Sequence, residues 1–215
     1  MKGEKYLYSE KECKKVSEYI DQQFGESIGV LREQESPDIK CDIVVVPPTE
    51  EQPYFKLVTL GAGAYKMKEQ KNKKSNECDR AEYVIFLPND WSYDSDREED
   101  FWPIQMLKDV ARLALFTDER VDFGHTIQWN EDGSPIVEST RFNSCILLCS
   151  IGKDEQEVEP LELGLFGKKV AFYQVIPLYP EELKYKLEHS LSELIDVFDA
   201  GESLVVDSNR KNYCE

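Results

Sequence analysis

Three segments of the chain carry apolar residues at the spacing of an amphipathic helix. The first follows a Ser-x-x-Glu capping box that begins at Ser9, and it is ended by Gly25, so the pattern predicts a helix from about 10 to 24. The second, residues 101–116, is apolar over so wide an arc that we expect a well-buried helix. The third, residues 181–198, carries a leucine stripe along one side, which predicts a final helix.

Short runs rich in β-branched and aromatic residues separate these segments and end at prolines, glycines or polar turns. They predict strands at 43–46, 54–61, 81–88, 121–129, 142–150 and 168–180. Helices and strands do not alternate strictly, which favours an α+β or mixed α/β fold with a central mixed or antiparallel sheet flanked by about three helices. No linker or repeat divides the chain, so we expect one domain over residues 1–215. The polar tail, residues 207–215, is expected to fray.

The strand predicted at 54–61 runs into the turn Gly61-Ala62-Gly63, which raises the question of a phosphate-binding loop. Position 66 is lysine, so Gly-x-Gly-x-x-Gly is incomplete, and no Gly-Lys-Ser or Gly-Lys-Thr follows. Small residues at a strand end are more often needed for a bulge or for the close approach of another chain segment. We therefore favour that structural explanation.

The charge is strongly acidic: 43 acidic against 26 basic residues give a formal net charge of −17. Such a chain repels phosphates, which argues against sequence-independent nucleic-acid binding and favours a basic protein partner. Two segments concentrate the acids, 94–100 and 153–162, each with five acids and one base. A basic stretch at 66–80 is predicted to be a solvated loop, with binding of an acidic peptide as the alternative for its first part, residues 66–74.

Several classes of protein are disfavoured. The first fifteen residues are polar, and no run approaches 18 apolar residues, so we expect a cytoplasmic protein that does not enter membranes. Six cysteines without a Cys-x-x-Cys pair, together with only two histidines, do not suggest a zinc site or any other cofactor. We expect free and mostly buried thiols.

One set of residues permits an enzymatic hypothesis. Asp122, His125 and Cys145 are of the types found in a cysteine-nucleophile triad. Their spacing matches no local signature, and a histidine in the strand-like run at 121–129 is more often structural. Cys145 and Cys149 lie two strand steps apart on one face, too far for a disulfide.

The candidate partner-binding site is the first acidic segment with the aromatic residues before it. Aromatic side chains are enriched at binding hot spots, and carboxylates steer basic partners. The predicted rim comprises Trp91, Tyr93, Asp94, Asp96, Glu98, Glu99 and Asp100. The nearby Trp102 is expected to be structural. The second acidic segment offers Asp154, Glu155, Glu157 and Glu159 as a weaker candidate.

An ordered series of segments resembles a known family. The series is "LVTLGAG" to "KM", "AEYVIFLPNDW", "FWPIQMLKDVAR", "FGHTIQW" and "VAFYQVIPLYPEEL". It is similar to the Suppressor of fused domain family in its bacterial form, and the resemblance is clearest over residues 40–200. The turn after Leu-Val-Thr is Gly-Ala-Gly here, where the family often has Gly-Met-Ser, so no family role is carried over to this turn.

The resemblance implies a protein-binding module without catalytic activity. Animal relatives resemble sequesterers of a zinc-finger transcription factor, and bacterial relatives look like immunity proteins that neutralise polymorphic toxins by direct binding. We therefore expect an acidic immunity protein with a protein partner, such as a basic toxin domain. A module for an endogenous partner and a cysteine-dependent hydrolase remain as alternatives, and the oligomeric state is left open.

Overall fold

The structure, a computed structural model, describes residues 5–36, 38–68, 78–164, 168–198 and 205–215. Most of the predicted basic loop lies outside these ranges, so only its two ends, residues 66–68 and 78–80, are described. Lys66 and Lys68 there pair with Asp79 and Asp118.

The described residues form four α-helices. They are α1 (Glu10–Phe24), α2 (Glu98–Thr117), α3 (Pro180–Glu188) and α4 (Leu191–Val197). The capping box predicted for α1 is present, since Ser9 Oγ accepts from the Glu12 amide at 3.3 Å. The prediction of one continuous helix over 181–198 was wrong. The helix stops at His189, and Ser190 caps a new helix by accepting from the Glu193 amide.

The described residues also contribute eight strands to one mixed sheet. They are β1 (Gly29–Leu31), β2 (Asp42–Val46), β3 (Tyr54–Leu60), β4 (Arg80–Pro88), β5 (Thr126–Gln128), β6 (Ser144–Cys149), β7 (Leu161–Glu162) and β8 (Lys169–Leu178). The order is β1-β2-β3-β4-β8-β6-β5, with β7 beside the start of β8. Among the strand pairs that the structure describes, β4–β8 alone is parallel, which confirms a mixed sheet in an α+β fold. Of the segment predicted as a strand at 121–129, only Thr126–Gln128 forms one. The very short strands β1 and β7 were not predicted.

Helices cover both faces of this sheet. Alternate residues of β2 point to opposite faces, because side chains in a strand have a period of two. Val44 packs in the cluster that buries Val16, Ile20 and Phe24 of α1. Ile43 and Val45 belong to the larger cluster with the apolar side of α2, in which Trp102 is only 3% exposed, as expected. Helices α3 and α4 close a third cluster against β6 and β8.

The C-terminal segment, residues 205–215, is packed into the structure, and the prediction that it frays was wrong. Pairing of β4 with β8 stops at Val84, which leaves the backbone of Phe86 available. Val205 forms a parallel bridge with Phe86, and the Val206 amide donates to the Phe86 carbonyl at 2.8 Å. Arg210 and Asn212 are buried. The polar composition hid these contacts because the partners are distant in sequence.

Lys56 is a buried amine in β3 that we expect to destabilise the fold. Its Nζ has no hydrogen-bond partner in the described part of the chain and lies 5.2 Å from the centre of the Tyr54 ring. Burial lowers its pKa from 10.5 to about 8. The unfolded chain therefore binds this proton more tightly, and the penalty is complete below pH 8 and disappears as pH rises towards 10.5.

Replacing Lys56 by methionine should therefore raise the free energy of unfolding at pH 7 by about 1–3 kcal/mol. Urea titrations at pH 7, 9 and 10.5 would measure this gain, which should shrink as pH rises. Lys14→Met, on the exposed side of α1, should leave stability nearly unchanged. A gain of equal size at pH 7 and pH 10.5 would show that amine burial is not its cause.

Candidate functional site

The predicted acidic rim lies in the loop after β4 and in the first turn of α2. The helix begins at Glu98, three residues before the predicted segment, so Glu98, Glu99 and Asp100 are helical. Carboxylates are favoured at that end because the helix dipole is positive there. The carboxylates therefore stabilise the start of the helix and also supply negative surface.

The two aromatic residues of the rim are partly turned inward. Trp91 is half-buried, lies edge-on to Trp102 with ring centres 6.0 Å apart, and donates its indole N–H to the Asp100 carbonyl at 2.9 Å. Tyr93 is half-buried against Phe55, with ring centres 4.9 Å apart. Both rings position the loop, and each leaves only part of its surface for a partner.

The carboxylates divide into paired and accessible groups. Arg97 contacts both Glu99 and Asp100 at 2.7 Å. Hydrogen bonds from Ser95 and Arg97 lower the pKa of Asp100. Asp94, Asp96 and Glu98 are exposed and carry the accessible negative charge of the rim. This surface can attract cations at neutral pH.

The second acidic segment belongs to the opposite face of the sheet. Its carboxylates Asp154, Glu155, Glu157 and Glu159 are all exposed. The segment is held against α1, since the Lys153 amide donates to the Gln23 carbonyl at 2.7 Å and the Tyr19 hydroxyl donates to the Glu159 carbonyl at 2.7 Å. The structure therefore does not bring the two acidic segments together into one patch.

The turn Gly61-Ala62-Gly63 does hold an anion, but the anion is the carboxylate of Glu82. The amides of these three residues donate to Glu82 at 3.1–3.2 Å. The hydroxyls of Tyr8 and Thr59 donate at 2.8 and 2.5 Å. Burial raises the pKa of Glu82 above its usual value, and these hydrogen bonds offset only part of that rise. The expected close approach of other chain segments to this turn is confirmed.

The glycines of this turn are required by space. A Cβ on Gly63 would lie 2.2 Å from the Tyr8 hydroxyl, and one on Gly61 would lie 1.9 Å from the Lys40 carbonyl oxygen. Gly61 also has a φ of 131°, which a residue with a side chain adopts only with strain. The clue missed in the sequence was Glu82, a carboxylate within an otherwise apolar strand.

The residues of the hypothetical triad do not form a nucleophilic site. Cys145 is fully buried in β6, and burial raises the pKa of its thiol, whereas a nucleophilic cysteine needs a lowered pKa. His125 is half-buried, and desolvation lowers its pKa. The His125 backbone amide donates to the Asp122 carbonyl at 3.0 Å.

Within the described ranges, no group of three or more His, Cys, Asp and Glu side chains is placed to hold a metal ion. None of the helices there is both long and apolar enough to cross a membrane.

A groove that the sequence did not reveal follows α2. Two adjacent cavities of about 200 and 180 Å³ share Asp109 and Trp129. One extends towards Glu98, and the other towards Leu113. The walls come from α2, β5 and the loop after β5, which are far apart in the sequence. The only local sign was the apolar ring of Trp129 at the end of a short strand.

Comparison with known proteins establishes the family. The family model described as Suppressor of fused protein (SUFU) matches residues 37–211. The chain belongs to this family. One relative, the uncharacterized protein UU111 of Ureaplasma parvum, is 28% identical over 214 residues, which is 97% of this chain and 98% of the relative.

Solved structures match the Suppressor of fused fold. The putative SUFU homologue of Neisseria gonorrhoeae has a TM-score of 0.60 at 20% identity, covering 96% of each chain. A chain of the Sufu–Fu complex gives 0.61 at 10% identity, with 94% of this chain and 90% of that chain covered. Drosophila Suppressor of fused gives 0.57 at 11% identity, and the match covers 94% of this chain and 50% of the Drosophila chain. The expected family and fold are therefore confirmed.

Two segments on which the resemblance rests contain buried carboxylates that organise the Suppressor of fused domain. Glu82 lies in "AEYVIFLPNDW" and holds the glycine turn. Glu182 lies in "VAFYQVIPLYPEEL" and forms a two-point ion pair with Arg210, at 2.5 and 2.6 Å. Both carboxylates stabilise the scaffold on which the acidic rim and the α2 groove are built.

Proposed function

We propose that this Suppressor of fused domain is a non-enzymatic protein-binding domain, and specifically an acidic immunity protein. It would act as a single domain in the cytoplasm, neutralising a polymorphic toxin by direct binding and not by binding nucleic acid. The support is threefold: the family, a matched fold that occurs in the Sufu–Fu complex, and an accessible acidic rim on a chain of net charge −17. No cofactor takes part in this function.

The acidic rim is the observation that carries the proposal. Asp94, Asp96 and Glu98 are exposed at the start of α2, and Arg97 neutralises only the neighbouring carboxylates. Many toxin domains that act on nucleic acids are basic, and complementary charge accelerates association with such partners. The terminal strands β1 and β5 offer sheet edges at which a partner segment can add a strand.

Capture of the partner tests the proposal. The tagged chain is purified from its native host, and bound proteins are identified by mass spectrometry. A stoichiometric partner with a C-terminal toxin domain, whose growth arrest is relieved by co-expression of this chain, is the expected result. A stoichiometric partner without toxic activity would retain the binding module and reject the immunity role.

Charge reversal tests the rim itself. Changing Asp94, Asp96, Glu98 and Glu99 to lysine should slow association with the captured partner by about tenfold or more at low salt, because steering is lost. The dependence of the association rate on ionic strength should also flatten. Stopped-flow or surface-based kinetics at several salt concentrations measure both effects.

The matched control reverses four exposed carboxylates on the other face. This control changes to lysine Asp154, Glu155, Glu157 and Glu159. It alters the net charge by the same amount as the rim variant, but away from the rim. Equal slowing by both sets would mean that net charge, and not the rim, accelerates binding. A larger effect of the control set would place the interface at the second acidic segment.

A further inference from the structure

We propose that the groove along α2 binds a basic segment of the partner that carries apolar side chains. The apolar side chains enter beside Trp129, and flanking lysines or arginines lie next to Glu98, Asp109 and Glu138. This inference rests on the proposed protein-binding function and names the surface and the chemistry of the segment it holds.

The groove has the dimensions for a peptide segment. Its two cavities of about 200 and 180 Å³ meet at Asp109 and Trp129. The stretch of α2 from Glu98 to Leu113 lines them, and fifteen residues of helix rise about 22 Å. A third cavity of about 350 Å³ continues from the start of α2 and is lined by Glu98, Glu99 and Glu138, among others.

Apolar side chains form much of the groove wall. The half-buried residues at the margin of the core that line it are Phe101, Leu113, Ile127, Trp129 and Ile136. Each is packed on the core with one side and open to the groove with the other. Burial of such apolar surface supplies most of the favourable free energy of association, and aromatic residues contribute a large share of it.

Charge selects a basic occupant. Glu98 and Glu138 are exposed at one end, and Arg97, which also lines that end, is already paired with Glu99 and Asp100. At the middle, the Asp109 carboxylate accepts from the Gln105 amide at 2.7 Å and from the Trp129 indole at 3.3 Å, which fixes it beside the cavities.

A second copy of this chain suits the groove poorly, because two chains of net charge −17 repel each other. An acidic segment is disfavoured for the same reason. Lysine and arginine can instead pair with Glu98, Asp109 and Glu138 while their neighbours in the segment bury apolar surface. The rim at the start of α2 is continuous with the groove through Glu98, so steering by the rim delivers a basic segment to this surface.

A peptide library tests the inference without knowledge of the natural partner. A phage-displayed library of random 12-residue peptides is selected on the intact protein, and the enriched peptides are synthesised for titration by fluorescence anisotropy. The expected consensus has one or more large apolar residues flanked by lysine or arginine. An acidic consensus, a purely polar one or no enrichment would overturn the inference.

Variants localise the binding. Two variants, Trp129→Ala and the double variant Glu98→Lys/Glu138→Lys, should each lower the affinity for the peptide at least tenfold. The double variant changes only exposed side chains, so it tests the groove even if Trp129→Ala unfolds. The matched control, Glu18→Lys/Glu159→Lys, lies on the α1 side and should change the affinity less than twofold. Equal weakening in the control, or none in the groove variants, would overturn the inference.

The inference and the proposed function fail in different ways. If a toxin is captured and the groove variants bind it with unchanged affinity, the immunity role stands and the groove is rejected as the binding surface. Peptide binding in the groove without any toxin partner rejects the immunity role alone. Self-association that disappears in Glu98→Lys/Glu138→Lys, seen by sedimentation, would make the occupant a second copy and reject the basic segment.

Discussion

Replacement of Glu82 by glutamine is expected to lower the free energy of unfolding by about 3–5 kcal/mol. The carboxylate accepts five hydrogen bonds, three of them from the amides of the Gly61-Ala62-Gly63 turn. A glutamine side chain offers one acceptor oxygen and places an NH₂ group against donors. Each buried donor left unpaired costs about 1–3 kcal/mol, although such losses do not add fully.

Urea and thermal denaturation followed by circular dichroism measure this loss. For a domain of this size, the expected change corresponds to a fall in Tm of about 10 °C. Glu162→Gln is the matched control, because that carboxylate is 66% exposed in β7 and forms an ion pair of 3.2 Å with Lys169 at the surface. It should change stability by less than about 0.5 kcal/mol. Equal stability of the two variants would show that the turn does not depend on Glu82.

Gly63→Ala provides an independent way to disturb the same cradle. The added methyl would collide with the Tyr8 hydroxyl and would lie 3.2 Å from the Val170 side chain. Tyr8 would have to move away from Glu82, so we expect a loss of about 1–3 kcal/mol. The double variant with Glu82→Gln should lose less stability than the sum of the two single losses, because both substitutions act on one hydrogen-bonded network.

Local patterns predicted much of the fold. The first two helices and the main strands were recognisable because apolar periodicity, caps and terminating prolines are encoded within about fifteen residues. The error at His189 arose because Leu187 continues the leucine spacing although it is 66% exposed. The spacing is maintained through a position where the backbone leaves the helix, and only the Ser190 cap indicated the break.

Long-range features were not predictable in this way. The parallel β4–β8 pair joins segments about ninety residues apart, and nothing local specifies it. The groove beside Trp129 likewise needs walls from three separate elements. The acidic rim could be predicted as charge, but the inward packing of Trp91 and Tyr93 depends on Trp102 and Phe55.

The C-terminal segment leads to the second large prediction, which concerns Arg210. Its guanidinium makes a two-point ion pair with Glu182 and donates to the Pro177 carbonyl at 2.9 Å. Aromatic rings surround it, with the centre of the Tyr179 ring 4.7 Å away and that of Phe142 5.2 Å away. A buried pair of this kind fixes the segment in place, because separating it leaves a buried charge.

Arg210→Met should therefore destabilise the protein by about 3–5 kcal/mol, since Glu182 remains buried without its partner. The amide of Val206, bonded to Phe86, should lose protection in hydrogen exchange as the segment detaches from β4. The exposed Arg141 is the matched control, because it lies over the same Tyr179 ring at 5.2 Å and forms an exposed ion pair with Glu215 at 3.4 Å. Arg141→Met should cost less than about 1 kcal/mol.

A second substitution separates the two causes of this loss. Arg210→Met/Glu182→Gln removes the uncompensated charge, so the double variant should be more stable than Arg210→Met alone. Recovery of stability without recovery of Val206 protection would mean that charge burial dominates the energy while the guanidinium contacts hold the segment. If the double variant is no more stable than the single one, the ion pair is not the main contribution, and contacts of the arginine with the aromatic rings must supply it.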